Sequence, residues 1–166
     1  MIEEAITKYS DMIYRLALIR IGNIHDAQDI MQEVFLKLVK YYNRGKAFND
    51  EEHRKAWLIR VTVNAGKNLT LSASKRKNIS LTEVAENAKS TDESETEKLE
   101  KQLAVYSAVM DLDEKYKVVV HLFYYEDMKV EQICKATGLS ESTVKTRLHR
   151  ARKMLEETLR GGGFHE

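Results

Sequence analysis

Hydrophobic positions recur along most of the chain at steps of three and four, the spacing of helices that bury one face. A first helix is predicted over residues 2–21, with Ile6, Tyr9, Ile13, Leu16 and Ala17 on one stripe and Gly22-Asn23 closing it. A second runs from about Asp26 to Tyr42. A polar loop from Asn43 to about Glu51 leads to a third, from near Glu52 to about Leu71. Residues 83–98 lack a strong apolar stripe and read as linker, and helix is expected again over 99–112. The run VVVHLFYY within residues 114–125 has strand propensity, but a lone strand among helices would have no partner, so helix is expected there too. No proline interrupts these segments. The expected fold class is all-α: two small helical domains, over residues 1–78 and 101–160, joined by a flexible acidic linker at 79–100.

The most informative pattern lies in residues 129–153. Val130, Ile133, Cys134 and Ala136 fall at helical spacing, and Gly138-Leu139-Ser140 follows as a turn. Gly138 can take the left-handed conformation that ends a helix, and the Ser140 hydroxyl can cap the next. That next helix points Val144, Leu148, Ala151 and Leu155 one way, and Ser142, Lys145, Thr146, His149 and Lys153 the other. Seven Lys or Arg stand against two acids in this window. A helix–turn–helix unit whose second helix carries basic and hydroxyl side chains outward fits the DNA major groove. The plainer alternative is a helical hairpin with a solvated charged face.

Charge is distributed unevenly behind a net value of only +1. Residues 1–82 carry 14 Lys or Arg against 9 acids, residues 83–101 carry 3 against 7, and residues 102–166 carry 10 against 10. The acidic spacer would not itself hold nucleic acid. A single cysteine excludes an internal disulfide framework and suits a reducing cytosol. No apolar run has the length of a bilayer span and no secretory signal opens the chain, so a cytoplasmic protein without membrane insertion is expected. His25, His53, His121, His149 and His165 show no ligand spacing with each other or with Cys134, and no Gly-rich phosphate loop or nucleophile–base motif appears. No enzyme, metal, cofactor or small-molecule substrate is therefore expected.

The second helix has two contrasting arcs. Ala27, Ile30, Met31, Val34, Phe35, Leu38, Tyr41 and Tyr42 form its core side, while Asp29, Gln32, Glu33 and Leu36 gather opposite. A leucine inside an acidic cluster fits either a solvated face or a docking surface for a basic partner.

These residues carry a resemblance. The segment Asp26-Ala27-Gln28-Asp29-Ile30-Met31-Gln32-Glu33-Val34-Phe35, with Trp57-Leu58 and Arg60-Val61-Thr62-Val63-Asn64, resembles region 2 of bacterial sigma factors. Residues 129–153 resemble region 4 of the same family. Two such domains with only a short linker are similar to the extracytoplasmic-function (ECF) group, which lacks the front and middle regions of housekeeping sigma factors. Gln28 departs from the usual acid, and Leu112-Asp113-Glu114 stands where a proline is often found.

The resemblance implies a subunit that binds core RNA polymerase and directs it to promoter DNA. Asp29, Gln32, Glu33 and Leu36 would dock on the polymerase. Arg60, Asn64, Lys67 and Asn68 would contact the −10 element, with Lys75, Arg76 and Lys77 adding general attraction. Trp57 is either core or a stacking platform for an unstacked base. Lys145, Thr146, His149 and Arg150 would read the −35 element, while Arg147 and Arg152 grip phosphates. An anti-sigma factor is a further partner the resemblance implies. The rival reading is a stand-alone helix–turn–helix regulator, which has no use for the acidic face. A nuclease or hydrolase lacks a motif, and a pure scaffold leaves the recognition helix unexplained.

Overall fold

The computed structural model describes residues 2–73 and 93–161, with only the backbone for 66–73 and for 93–94. Lys75, Arg76 and Lys77 and most of the expected linker lie outside the described residues. Seven α-helices and one π-helical turn make up the described chain, with no strand. They are α1 (Ile2–Ile21), α2 (Ile24–Asn43), α3 (Glu51–Ala73), α4 (Glu93–Met110), α5 (Glu114–Val120), α6 (Val130–Thr137) and α7 (Glu141–Gly161). The π-helical turn, His121–Tyr125, extends α5.

Helices α1, α2 and α3 form an N-terminal bundle. Gly22, at φ 71°, donates its N–H to the Leu18 carbonyl at 2.7 Å and ends α1. Asn23 then caps α2 by accepting the Asp26 N–H at 3.0 Å. Ala5, Tyr9, Met12, Ile13, Leu16 and Ala17 are the buried stripe of α1, facing Ala27, Ile30, Val34 and Leu38 of α2 and Leu58 and Ile59 of α3. Ile6, expected on that stripe, is 40% exposed. At 100° per residue, Ala5 takes the inward place one position before it.

Helix α4 starts at Glu93, ahead of the expected start at 99. Glutamate and lysine are good helix formers without an apolar stripe, so propensity carries this first stretch. Residues 114–125 are helical as expected, but the last turn widens. The Glu126 N–H reaches back five residues to the His121 carbonyl at 3.0 Å, and Asp127 follows in the left-handed region at φ 55°.

The N-terminal and C-terminal helices share their apolar interior. Val118, Val119 and Leu122, Ile133 and Ala136, and Val144 and Leu148 belong to the same buried cluster as the core of α1–α3. A second cluster joins Ile19 of α1 to Val109, Leu112, Tyr116, Val120 and Ala151. Each large aliphatic side chain so buried contributes roughly 1.5–3 kcal/mol. Two charge pairs seal the same junction. Arg20, buried in α1, meets Glu114 of α5, and Arg15 of α1 lies 3.3 Å from Glu126. His121 Nε2 also lies 3.3 Å from that Glu126 carboxylate. Burial pushes the Glu126 carboxyl upward, but His121 and Arg15 outweigh it and hold its pKa below the usual value.

Candidate polymerase and promoter surfaces

The acidic quartet of α2 is a continuous outward surface. Asp29, Gln32, Glu33 and Leu36 are all exposed, and Leu36 is 61% accessible, one of the few large apolar side chains left in solvent. Glu33 pairs with Lys37 one turn on, at 3.0 Å. Both partners are half accessible, so this pair is weak and a stronger basic partner can displace it. An apolar side chain ringed by two carboxylates and an amide offers a partner both contact area and orientation.

The face of α3 has two parts. Arg60 and Asn64 are exposed, on adjacent turns. Arg60 Nη2 donates to the Lys135 carbonyl of α6 at 2.6 Å. Lys67 and Asn68 continue the backbone of α3, but their side chains are outside the described residues. Beside this face Trp57 is half-buried in an aromatic group that patterning did not single out. Its ring lies 5.1 Å from Tyr41 and 5.5 Å from Phe48, and Tyr41 and Phe48 stack at 4.4 Å. Lys46 sits 5.7 Å over Tyr41, and the Tyr41 hydroxyl donates to the Ala47 carbonyl at 3.1 Å. The loop before α3 is pinned there, because Asp50 Oδ1 accepts the His53 N–H at 2.7 Å and His53 Nδ1 accepts the Asn49 N–H at 3.1 Å. The signal available in the sequence was four aromatics, Tyr41, Tyr42, Phe48 and Trp57, bracketing one polar loop.

The C-terminal unit shows the expected helix–turn–helix. Gln132 Oε1 accepts the Lys129 N–H at 2.8 Å at the start of α6. Gly138, at φ 79°, closes α6 by donating to the Cys134 carbonyl at 2.8 Å. Ser140 Oγ accepts the Thr143 N–H at 3.1 Å and caps α7. A Cβ at Gly138 would meet nothing within 4 Å, so only its backbone conformation resists substitution. Gly138→Ala is expected to lower stability by about 1–2 kcal/mol, the cost of a left-handed L-residue. A urea midpoint equal to wild type would contradict that.

Val144, Leu148 and Ala151 anchor α7 inward. Lys145, Thr146, His149 and Arg150 are exposed on its outer side, and Arg147 is half-buried. Lys145 pairs with Glu141 at 2.6 Å, which raises its pKa through the hydrogen bond and the charge. Arg152 is turned toward the π-helical turn, where its Nε donates to the Tyr124 hydroxyl and its guanidinium lies over the Phe123 and Tyr124 rings. Cys134 is half-buried beside the main core. Among the described residues no helix is long and apolar enough to cross a membrane.

Two surfaces of opposite charge thus stand on one helical body. The family model for sigma-70 region 2 matches residues 5–76, and that for sigma-70 region 4 matches residues 102–155. RNA polymerase sigma factor SigV of Bacillus subtilis (strain 168) is 30% identical over 150 residues, covering 90% of this chain and 86% of that protein. The chain belongs to the sigma-70 family. ECF RNA polymerase sigma factor SigW of the same organism is 28% identical over 166 residues, covering 92% of this sigma factor and 85% of its own length. Such relatives place this sigma factor in the ECF group. The co-crystal structure of the sigma factor RpoE with the anti-sigma factor NepR from Bartonella quintana has the same fold. Its TM-score is 0.68 at 15% identity, covering 95% of this chain and 96% of that one.

Proposed function

We propose that this sigma factor holds core RNA polymerase through the acidic face of α2 and addresses it to promoters through α3 and α7, acting in the cytoplasm. The observation that carries the reading is the outward placement of Asp29, Gln32, Glu33 and Leu36 on a helix whose opposite side is sealed in the core. Their carboxylates supply orientation and on-rate toward a basic partner. Arg60 and Asn64, continued by Lys67 and Asn68, supply cations and amide groups for the −10 strand. The aromatic group of Tyr41, Phe48 and Trp57 offers ring faces beside them for an unstacked base.

On α7, Lys145, Thr146, His149 and Arg150 present donors and a methyl group to base edges, while Arg147 and Arg152 serve phosphates. For Lys145 this means exchanging its exposed pair with Glu141 for DNA, a small cost. Arg150→Ala is expected to lose about 1–3 kcal/mol at one −35 base pair and relax preference there. Competition binding across single-base variants of a −35 site measures it, and an equal loss on every sequence would contradict the assignment. The family's chemistry is binding and initiation rather than catalysis, with an anti-sigma factor as a further partner of the kind crystallised with the Bartonella protein. Co-purification with core polymerase tests the proposal. A stand-alone regulator would hold DNA and leave the polymerase behind.

A further inference from the structure

We propose that Arg54 and its partners form a positioning anchor: they hold the Tyr41, Phe48 and Trp57 group in the arrangement that receives an unstacked base, without touching the strand themselves. The inference rests on the −10 role given to that group and adds the residues that set its geometry. Arg54 lies on the first turn of α3, one turn before Trp57, and is 6% exposed. Its Nη2 donates to Glu51 Oε1 and, at 3.4 Å, to Glu4 Oε1. The other Glu51 oxygen, Oε2, accepts the Tyr9 hydroxyl and, at 3.0 Å, the Lys8 ammonium. The Arg54 guanidinium also lies 5.5 Å from the centre of the Tyr9 ring. Two cations and two carboxylates thus tie the start of α3 to α1, in a set without net charge.

The anchor meets the aromatic group at three places. The Arg54 N–H donates to the Asp50 carbonyl at 3.1 Å, which joins the end of the loop that carries Phe48 to the helix. Trp57 follows three positions later on the same face of α3, so the direction in which the first turn is held sets the direction of the indole. Tyr42 is the third place. Its ring packs edge-on against Phe48 at 5.9 Å and 86°, and against Tyr41 at 6.1 Å and 78°. Burial pulls the Arg54 pKa down, but a hydrogen bond with the Tyr42 hydroxyl and the charge of Glu51 outweigh it and raise it. A guanidinium suits this task because its planar fork holds several acceptors at fixed angles. Stability alone would not ask for it, since apolar side chains of similar volume often pack a buried site as well as an ion pair does. The Glu4 and Glu51 side chains are both more than half accessible, so loss of Arg54 leaves them in water rather than stranding a buried acid. What that loss removes is the alignment of Tyr42 and of the first turn of α3.

The test assembles the full chain with core RNA polymerase, carrying Arg54→Met or, separately, Tyr42→Phe. The first keeps an unbranched side chain in the buried site, and the second removes a single oxygen. Each is tried on one promoter recovered from randomised templates, once fully paired and once with its −10 segment pre-opened by mismatches. On the paired template the RNA yield should fall about tenfold in both variants, as expected when a base loses its stacking on an aromatic face. On the pre-opened template, where no base has to leave a pair, both should come within about twofold of wild type. In the free chain, acrylamide should quench the fluorescence of Trp57, the only tryptophan, more strongly in both variants than in wild type. Equal losses on the two templates, wild-type yield on the paired one, or unchanged quenching would each overturn the anchor. A wild-type chain that recovers no promoter from any template would instead overturn the proposed function.

Discussion

Asp29→Arg combined with Glu33→Arg is expected to cut assembly with core RNA polymerase by about 100-fold or more, because like charges set against a basic partner cost several kcal/mol. Both side chains are exposed, so folding stability should change by no more than about 0.5 kcal/mol. Among the described residues the change removes the Glu33–Lys37 pair at 3.0 Å, worth about 0.3–0.5 kcal/mol as an i,i+4 pair on a helix surface. Duplex DNA binding by the same variant should not weaken, since α7 is untouched and the protein has become more basic. Titration of labelled core polymerase measures the first effect and a duplex binding assay the second. Assembly at wild-type strength would remove the α2 face from the account.

Ile133→Ala is expected to destabilise the protein by about 2–5 kcal/mol, the usual cost of truncating a fully buried aliphatic side chain. Its location makes the consequence more telling than its size. Ile133 is on α6, yet it belongs to the buried cluster that also holds Ile13, Leu16, Ile30 and Leu58. The thermal transition should therefore shift as one for the whole chain. A tryptophan probe at Trp57 in α3 and a far-ultraviolet signal from all helices should report the same midpoint. If the Trp57 signal keeps its wild-type midpoint while half the helicity melts early, the two units do not share a core in solution.

Much of this was legible in the sequence, and the reason differs between elements. The turn around Gly138 and Ser140 could be read because each residue has a narrow conformational role, and both perform it. The faces of α2 could be read because a helix with a strong stripe on one side leaves its opposite side no choice but solvent. Helix α4 was placed too late because its first residues are helical by propensity, without an apolar signal. Ile6 was misplaced because two neighbouring apolar residues, Ala5 and Ile6, compete for one inward position, and the smaller won.

The junction between the units was not legible at all. Ile19 lies outside the expected stripe of α1, and nothing in the sequence says that Val109, Leu112, Tyr116, Val120 and Ala151 will bury it. Nothing in composition marks Arg15 and Arg20 as partners of Glu126 and Glu114, since arginines on a helix are ordinarily solvated. The aromatic group around Trp57 falls between these cases. Its members were visible as residues, while the loop geometry that brings Phe48 onto Tyr41 was not.

Run-off transcription, with purified core RNA polymerase, this chain and a library of randomised upstream sequences, decides whether the chain starts RNA synthesis at chosen sites. Transcripts should begin only when the chain is added, from templates sharing one upstream motif read by α7 and a second nearer the start read by α3. Core polymerase that makes no more RNA with the chain than without it, on every template, would show that the chain does not direct initiation.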